Sequence, residues 1–161
     1  MRNQNFSKTL IGCGLLGLMS LSGCTKDDKE IDTEYPTIDV THADAFPKQC
    51  SVLTRGETIV FKALLKDNMQ LGSYSIDIHH NFDHHSHSTE VNSCEMDPIK
   101  GPVNPFLYIK SFPIPDKVSS YQTNTEISIP GDIDPGDYHF MIMLTDAAGW
   151  QTIKGLSIKI K

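Results

Sequence analysis

The stretch that decides the fold is residues 134–149, DPGDYHFMIMLTDAAG. Asp134-Pro135-Gly136-Asp137 is a turn, in which proline presets one backbone angle and glycine tolerates the other. Tyr138, Phe140, Ile142 and Leu144 then fall on one face, and His139, Met141, Met143 and Thr145 on the other. That period of two predicts a strand with one face in the core. Asp146-Ala147-Ala148-Gly149-Trp150 predicts a hairpin turn, and Leu156, Ile158 and Ile160 alternate through a last strand.

Upstream, the same reading finds more strands. Thr125–Ile129 is one, closed by Pro130-Gly131. Glu57–Lys66 is another, with Ile59, Phe61, Ala63 and Leu65 alternating, although Val60 and Leu64 soften the pattern. After the Asp67-Asn68 turn, Leu71–His80 alternates cleanly. Tyr74, Ile76, Ile78 and His80 share the core-directed face, and Ser73, Ser75, Asp77 and His79 share the other. Pro36–Thr41 reads as a short first strand and residues 42–55 as a loop. From His84 to Ser120, five prolines punctuate the chain. There Phe106–Ile109 is expected to be an edge strand, and the whole segment to lie over the histidine-bearing strand or loop. About seven short strands and no helical period after residue 24 argue an all-β sandwich. Pro-Gly-x-Tyr, alternating apolars and Asp-x-x-Gly resemble the final hairpin of immunoglobulin-like extracellular modules, with Tyr138 where such folds place a tyrosine corner. The expected fold class is therefore an immunoglobulin-like β-sandwich.

The chain begins with Met1, Arg2 and Lys8, followed by an apolar run from Leu10 to Leu21 that is too short to span a bilayer. Leu21-Ser22-Gly23-Cys24 reads as a lipobox. Residues 1–23 are then a lipoprotein signal peptide, Cys24 is the lipidated N-terminus, and residues 24–35 are a charged tether. Residues 36–161 form the sandwich domain. Thr25-Lys26-Asp27-Asp28-Lys29-Glu30 resembles the surface-export signal of Bacteroidetes lipoproteins; a periplasm-facing lipoprotein is the alternative. The expected location is the outer membrane. Loss of Arg2 and Lys8 with the leader takes the net charge from −6 to −8. So acidic a chain has no electrostatic case for nucleic acid, and a monomer is expected. Of four cysteines, Cys13 leaves with the signal and Cys24 is lipidated. Cys50 and Cys94 remain, as a disulfide or with Cys94 as a metal ligand.

Residues 79–87, HHNFDHHSH, hold five of the seven histidines. Crowded imidazoles repel one another near neutral pH unless something keeps them neutral, and a bound metal does so. His85 and His87 share a face if extended, as do Asp77 and His79. If Asn81–Asp83 turns the chain back, the pairs converge. The candidate metal residues are therefore His79, His84, His85, His87, Asp77 and Asp83, the carboxylates serving as ligands or as groups that orient the rings. His84 is expected to point the other way and is the weaker candidate. Imidazole suits zinc or copper; soft donors would favour copper, so His139 with Met141 and Met143 is a conceivable second set, against simple packing of the methionines. His-Glu-x-x-His, Gly-x-Ser-x-Gly and Gly-rich phosphate loops are absent, and a non-enzyme is expected.

Two functional readings follow. One is an outer-membrane lipoprotein that captures, buffers or transfers zinc or copper, handing it to a receptor or transporter. The other is a surface module for protein or glycan binding, in which the histidines are structural or pH-responsive and Phe82, Phe106, Tyr108 and Phe112 are exposed. The lipobox, the Asp67-Asn68-x-x-Leu71 strand opening, the run Ile78–His87 and the terminal hairpin together resemble a family of short Bacteroidetes lipoproteins known as domain of unknown function 4625. That resemblance implies an immunoglobulin-like fold and a surface or periplasmic lipoprotein, and brings no activity with it.

Overall fold

The alternation in Leu71–His80 and Tyr138–Thr145 places two rows of large apolar side chains on one side of two adjacent strands, and the rest of the chain closes over those rows. A computed structural model describes residues 30–87 and 94–161; the expected signal peptide and Cys24 lie outside the described residues. The elements are β1 (Thr37–Asp39), β2 (Val52–Leu53), β3 (Thr58–Phe61), β4 (Leu64–Lys66), β5 (Leu71–His80), β6 (Tyr108–Pro113), β7 (Ser120–Gln122), β8 (Thr125–Ser128), β9 (Gly136–Asp146) and β10 (Gln151–Ile160). Among the described residues there is no helix, and Ile31–Lys161 form one compact unit.

One layer is a five-stranded sheet in the order β2-β10-β9-β5-β6. Its pairs are antiparallel except β2, which runs parallel to β10. The other layer combines a β1-β4-β7 sheet with a β3-β8 pair. Phe61 of the second layer meets Phe140 of the first at 5.4 Å between ring centroids. Ile76, Ile78, Phe140, Ile142 and Leu144 are fully buried between the layers, each contributing about 1.5–3 kcal/mol of transfer free energy. The fold is an all-β, immunoglobulin-like sandwich.

The strand count exceeds the expected seven because two short partners carry too few residues to show a period and one expected strand divides in two. β2 lies inside the expected loop 42–55 and is held on β10 by Lys159 N–H to Ser51 O and Lys161 N–H to Leu53 O, both 2.9 Å. β7 lies in stretches read as connection. The expected single strand 57–66 keeps its alternation but changes partners at Lys62 and Ala63. Lys62 exchanges two hydrogen bonds with Phe46, while Ala63 N–H donates to the buried hydroxyl of Thr123 at 2.8 Å. β6 starts at Tyr108 rather than Phe106. It is an edge strand, as its prolines required, and it pairs beside β5 instead of lying over it.

Two ties hold the connections. Cys50 and Cys94 form a disulfide across 44 residues, which excludes Cys94 as a thiolate ligand. Tyr138 is a tyrosine corner: its hydroxyl donates to Asp134 O at 2.6 Å and accepts from Phe106 N–H at 3.2 Å. Burial raises this phenol above its ordinary pKa.

Tyr138→Phe removes one hydroxyl and leaves a carbonyl and an amide without that partner. Urea denaturation is expected to show a loss of about 1–3 kcal/mol; an unchanged midpoint would contradict the corner's role. Replacing both Cys50 and Cys94 by alanine is expected to cost about 4 kcal/mol through loop entropy in the unfolded chain, read in the same assay.

Candidate metal centre

The register of β5 on β9 sets His79 directly opposite His139. Residues in that relation have Cβ atoms about 4.5–5.5 Å apart on one face of the sheet, and here the ring centroids are 5.3 Å apart. Both occupy the face turned away from the core. The chain then leaves β5: Asn81 N–H bonds Asp137 O at 2.8 Å, and Phe82 inserts into the core at 2 % exposure. His84 N–H bonds Asn81 O, and His84 itself has φ 58°. This left-handed turn sends the chain back across the outer face of β5 and β9. His85 and His87 come down over His139, with centroids at 4.8 and 4.5 Å. One ligand atom from each of His79, His85, His87 and His139 lies within 4.8 Å of all the others. The covering loop explains why His139 is fully buried on a face that alternation alone leaves open.

Two carboxylates set the rings. His79 Nδ1–H donates to Asp77 at 2.8 Å, and His85 Nδ1–H donates to Asp83 at 2.6 Å. Each pair has the spacing Asp-x-His, which places both side chains on one side of an extended backbone. A carboxylate on Nδ1 fixes the tautomer and leaves Nε2 as the basic, metal-facing nitrogen. The hydrogen bond from His85 in turn holds the Asp83 carboxyl below its ordinary pKa. His79 Nε2 and His87 Nε2 are 3.1 Å apart. Two nitrogens on a tetrahedral ion with bonds of 2.0–2.1 Å stand about 3.3 Å apart, so this pair already has nearly the spacing of two ligands. His139 Nε2 is 3.1 Å from His85 O; donation along that line leaves the His139 lone pair on Nδ1.

Three expected ligands, His79, His85 and His87, converge. The other three candidates stand outside the converging group. His84 is outside the group: its Nε2 meets the carbonyl of Asp97 at 2.9 Å, because the left-handed turn rotates it away. Asp97 is itself fixed by its N–H to Asp137 at 2.7 Å and by Lys159 Nζ at 2.6 Å. The Lys159 bond lowers the Asp97 pKa and raises that of Lys159. Asp77 and Asp83 are not among the converging ligand atoms; each is engaged by a ring. The fourth member is His139, which the sequence alone pairs only with Met141 and Met143 on its own strand face. Met143 is exposed. Had β5 been paired with β9, the shared outer face of His79 and His139 would have revealed it. The aromatic docking surface is also corrected. Phe82 and Phe106 are buried, and Tyr108 and Phe112 pack against the core.

Comparison with known proteins adds a family. The family model described as a domain of unknown function (DUF4625) matches residues 22–161, and the chain belongs to that family. No curated protein matches the sequence. Among solved structures, the chain is similar to the crystal structure of Spo0M, a sporulation control protein from Bacillus subtilis. That likeness has 12% sequence identity and a TM-score of 0.42, over 80% of this chain and 50% of the other. The chain thus spans about half the length of that protein.

Proposed function

We propose that this member of the DUF4625 family binds a transition metal, zinc or copper, through His79, His85, His87 and His139, and does so for capture, buffering or transfer at the outer membrane. The observation that carries this reading is the convergence of four imidazoles of which two are already oriented by carboxylates. Stacking and covering rings would need no such orientation; metal ligation does. Four protein ligands complete a tetrahedral shell and leave no open position for substrate, which favours holding over catalysis. The side chain of His85 is 37% exposed and that of His79 22%, so an ion can enter or leave at the loop. The four converging donors are all imidazoles, which suit zinc, and zinc is the first ion to test. In this reading Cys24 carries the lipid anchor, the residues between it and Ile31 set the domain away from the membrane, and a receptor or transporter receives the ion.

A second reading, an interaction module whose metal ties down the loop, draws on other residues than those first expected. Ile99, Val103, Leu107 and Ile109 are all exposed apolar side chains in one short segment.

The test is metal content by mass spectrometry on the chain from Thr25 onward, after equilibration with zinc and desalting. About one zinc per chain is expected. His139→Ala is expected to abolish retention, and His84→Ala to leave it intact. No retained zinc in the parent chain, or stoichiometric zinc in His139→Ala, would sink the assignment. Asp77→Asn is expected to weaken binding roughly 10–100-fold without removing a ligand, measured by competition with a chromophoric chelator; an unchanged affinity would deny the carboxylate its orienting role.

A further inference from the structure

A second cluster of chemically different groups lies at the other end of the β5–β9 pair. Asp32 precedes β1, Asp67 follows β4, and Asp146 is the last residue of β9. One carboxylate oxygen from each lies within 4.8 Å of the other two. Asp146 is 4% exposed, and Asp32 and Asp67 are half-buried. Seven residues separate His139 from Asp146 along β9, which is about 23 Å of strand, so this cluster is not part of the histidine centre.

Each carboxylate uses one oxygen locally. Asp146 Oδ1 accepts from Gly149 N–H and Trp150 N–H at 2.6 and 2.8 Å. Asp67 Oδ2 accepts from Met69 N–H and Gln70 N–H at 2.8 and 2.7 Å. Asp32 Oδ1 accepts from Glu34 N–H at 3.1 Å. These bonds account for the turns. They do not account for the oxygens left over: Asp146 Oδ2 and Asp67 Oδ1 are shut off from solvent and have no hydrogen-bond partner. Among the described residues, no lysine or arginine forms a salt bridge with any of the three.

Such an arrangement is costly as it stands. A buried carboxylate oxygen without a partner loses its hydration uncompensated, and three like charges in contact repel. A cation held among the three carboxylates removes both costs. The donors are all carboxylate oxygens, which suit a hard ion and not the zinc or copper of the imidazole site. Three segments converging without regular geometry suit calcium better than magnesium, which demands a near-ideal octahedron and keeps its waters.

We propose that Asp32, Asp67 and Asp146 form a calcium site that fastens the start of the domain to the β9–β10 turn. The surrounding contacts fit that role. Trp150 Nε1–H donates to Asp32 O at 3.1 Å, and the Tyr35 and Trp150 rings meet edge to face at 4.8 Å between centroids. The ion joins the chain just after the tether to the turn on which Trp150 sits, and to the β4–β5 turn.

Trp150 is the chain's single tryptophan and supplies the readout. Terbium, a luminescent stand-in for calcium, is titrated into the full chain in detergent after chelator treatment, with excitation through the indole; calcium then competes. Calorimetry with calcium alone gives stoichiometry and affinity. The expected result is one calcium per chain with a dissociation constant of roughly 10⁻⁶–10⁻³ M, sensitised terbium emission displaced by calcium, and a higher thermal midpoint in calcium than in chelator. Asp146→Asn is expected to abolish binding. Because Asp146 also holds the hairpin turn, Asp32→Ala is the companion variant. It spares that turn and is expected to weaken calcium binding at least ten-fold while circular dichroism stays unchanged. His139→Ala should bind calcium as the parent does. Absence of calcium heat and terbium emission in the parent chain, unchanged affinity in Asp32→Ala, or magnesium binding as tightly as calcium would overturn the proposal.

Discussion

The antiparallel register of β5 on β9 is the constraint from which the rest follows. Pairing His79 with His139 simultaneously aligns Ile76 with Ile142 and Ile78 with Phe140 in the core. A slip of one residue would turn every side chain to the opposite face. It would bury Asp77 and His79 and expose the isoleucines, so the apolar rows hold the polar site in place without touching it. The register shifts only at Gly72, where the strand passes so close to β9 that a Cβ would stand 2.7 Å from Asp146 O. Only glycine permits that approach without displacing backbone.

On this platform the 81–87 loop performs two jobs. Phe82 anchors it in the core against Tyr138, ring centroids 5.3 Å apart, and the left-handed turn at His84 directs the following residues over the outer face. His139 then loses all contact with solvent. A buried imidazole must be hydrogen-bonded or ligated, and the covering loop supplies both a carbonyl, from His85, and two further rings. The same segment is secured at its far side by the disulfide at Cys94 and by Lys159 on Asp97.

The two ends of β9 divide the donor chemistry. Nitrogen donors gather where the chain doubles back after β5. Carboxylates gather where three turns meet near Trp150. Donors suited to soft-to-borderline cations and donors suited to hard ones are thereby separated by the length of a strand, and neither set contains the other's donor type.

Much of the fold was readable from the chain alone. Clean period-two patterns in Leu71–His80 and Tyr138–Thr145 specified both central strands and their buried faces, because alternation is a local consequence of strand geometry. Pro-Gly-x-Tyr marked the corner at Tyr138, and the density of histidines marked a site and three of its four converging rings. Tertiary structure decided what no local pattern encodes. β2 and β7 exist only because a neighbouring strand offers hydrogen bonds to two or three residues. His139 joins the centre through cross-strand register across sixty residues of chain. His84 leaves it through one left-handed backbone angle. Asp77 and Asp83, by contrast, orient their rings through the local Asp-x-His spacing, one of the two roles the sequence allows them. Asp32, Asp67 and Asp146 carry no shared motif; the layers must close before their carboxylates meet. Periodicity records which way a side chain faces, whereas a binding site depends on which distant side chains face the same point.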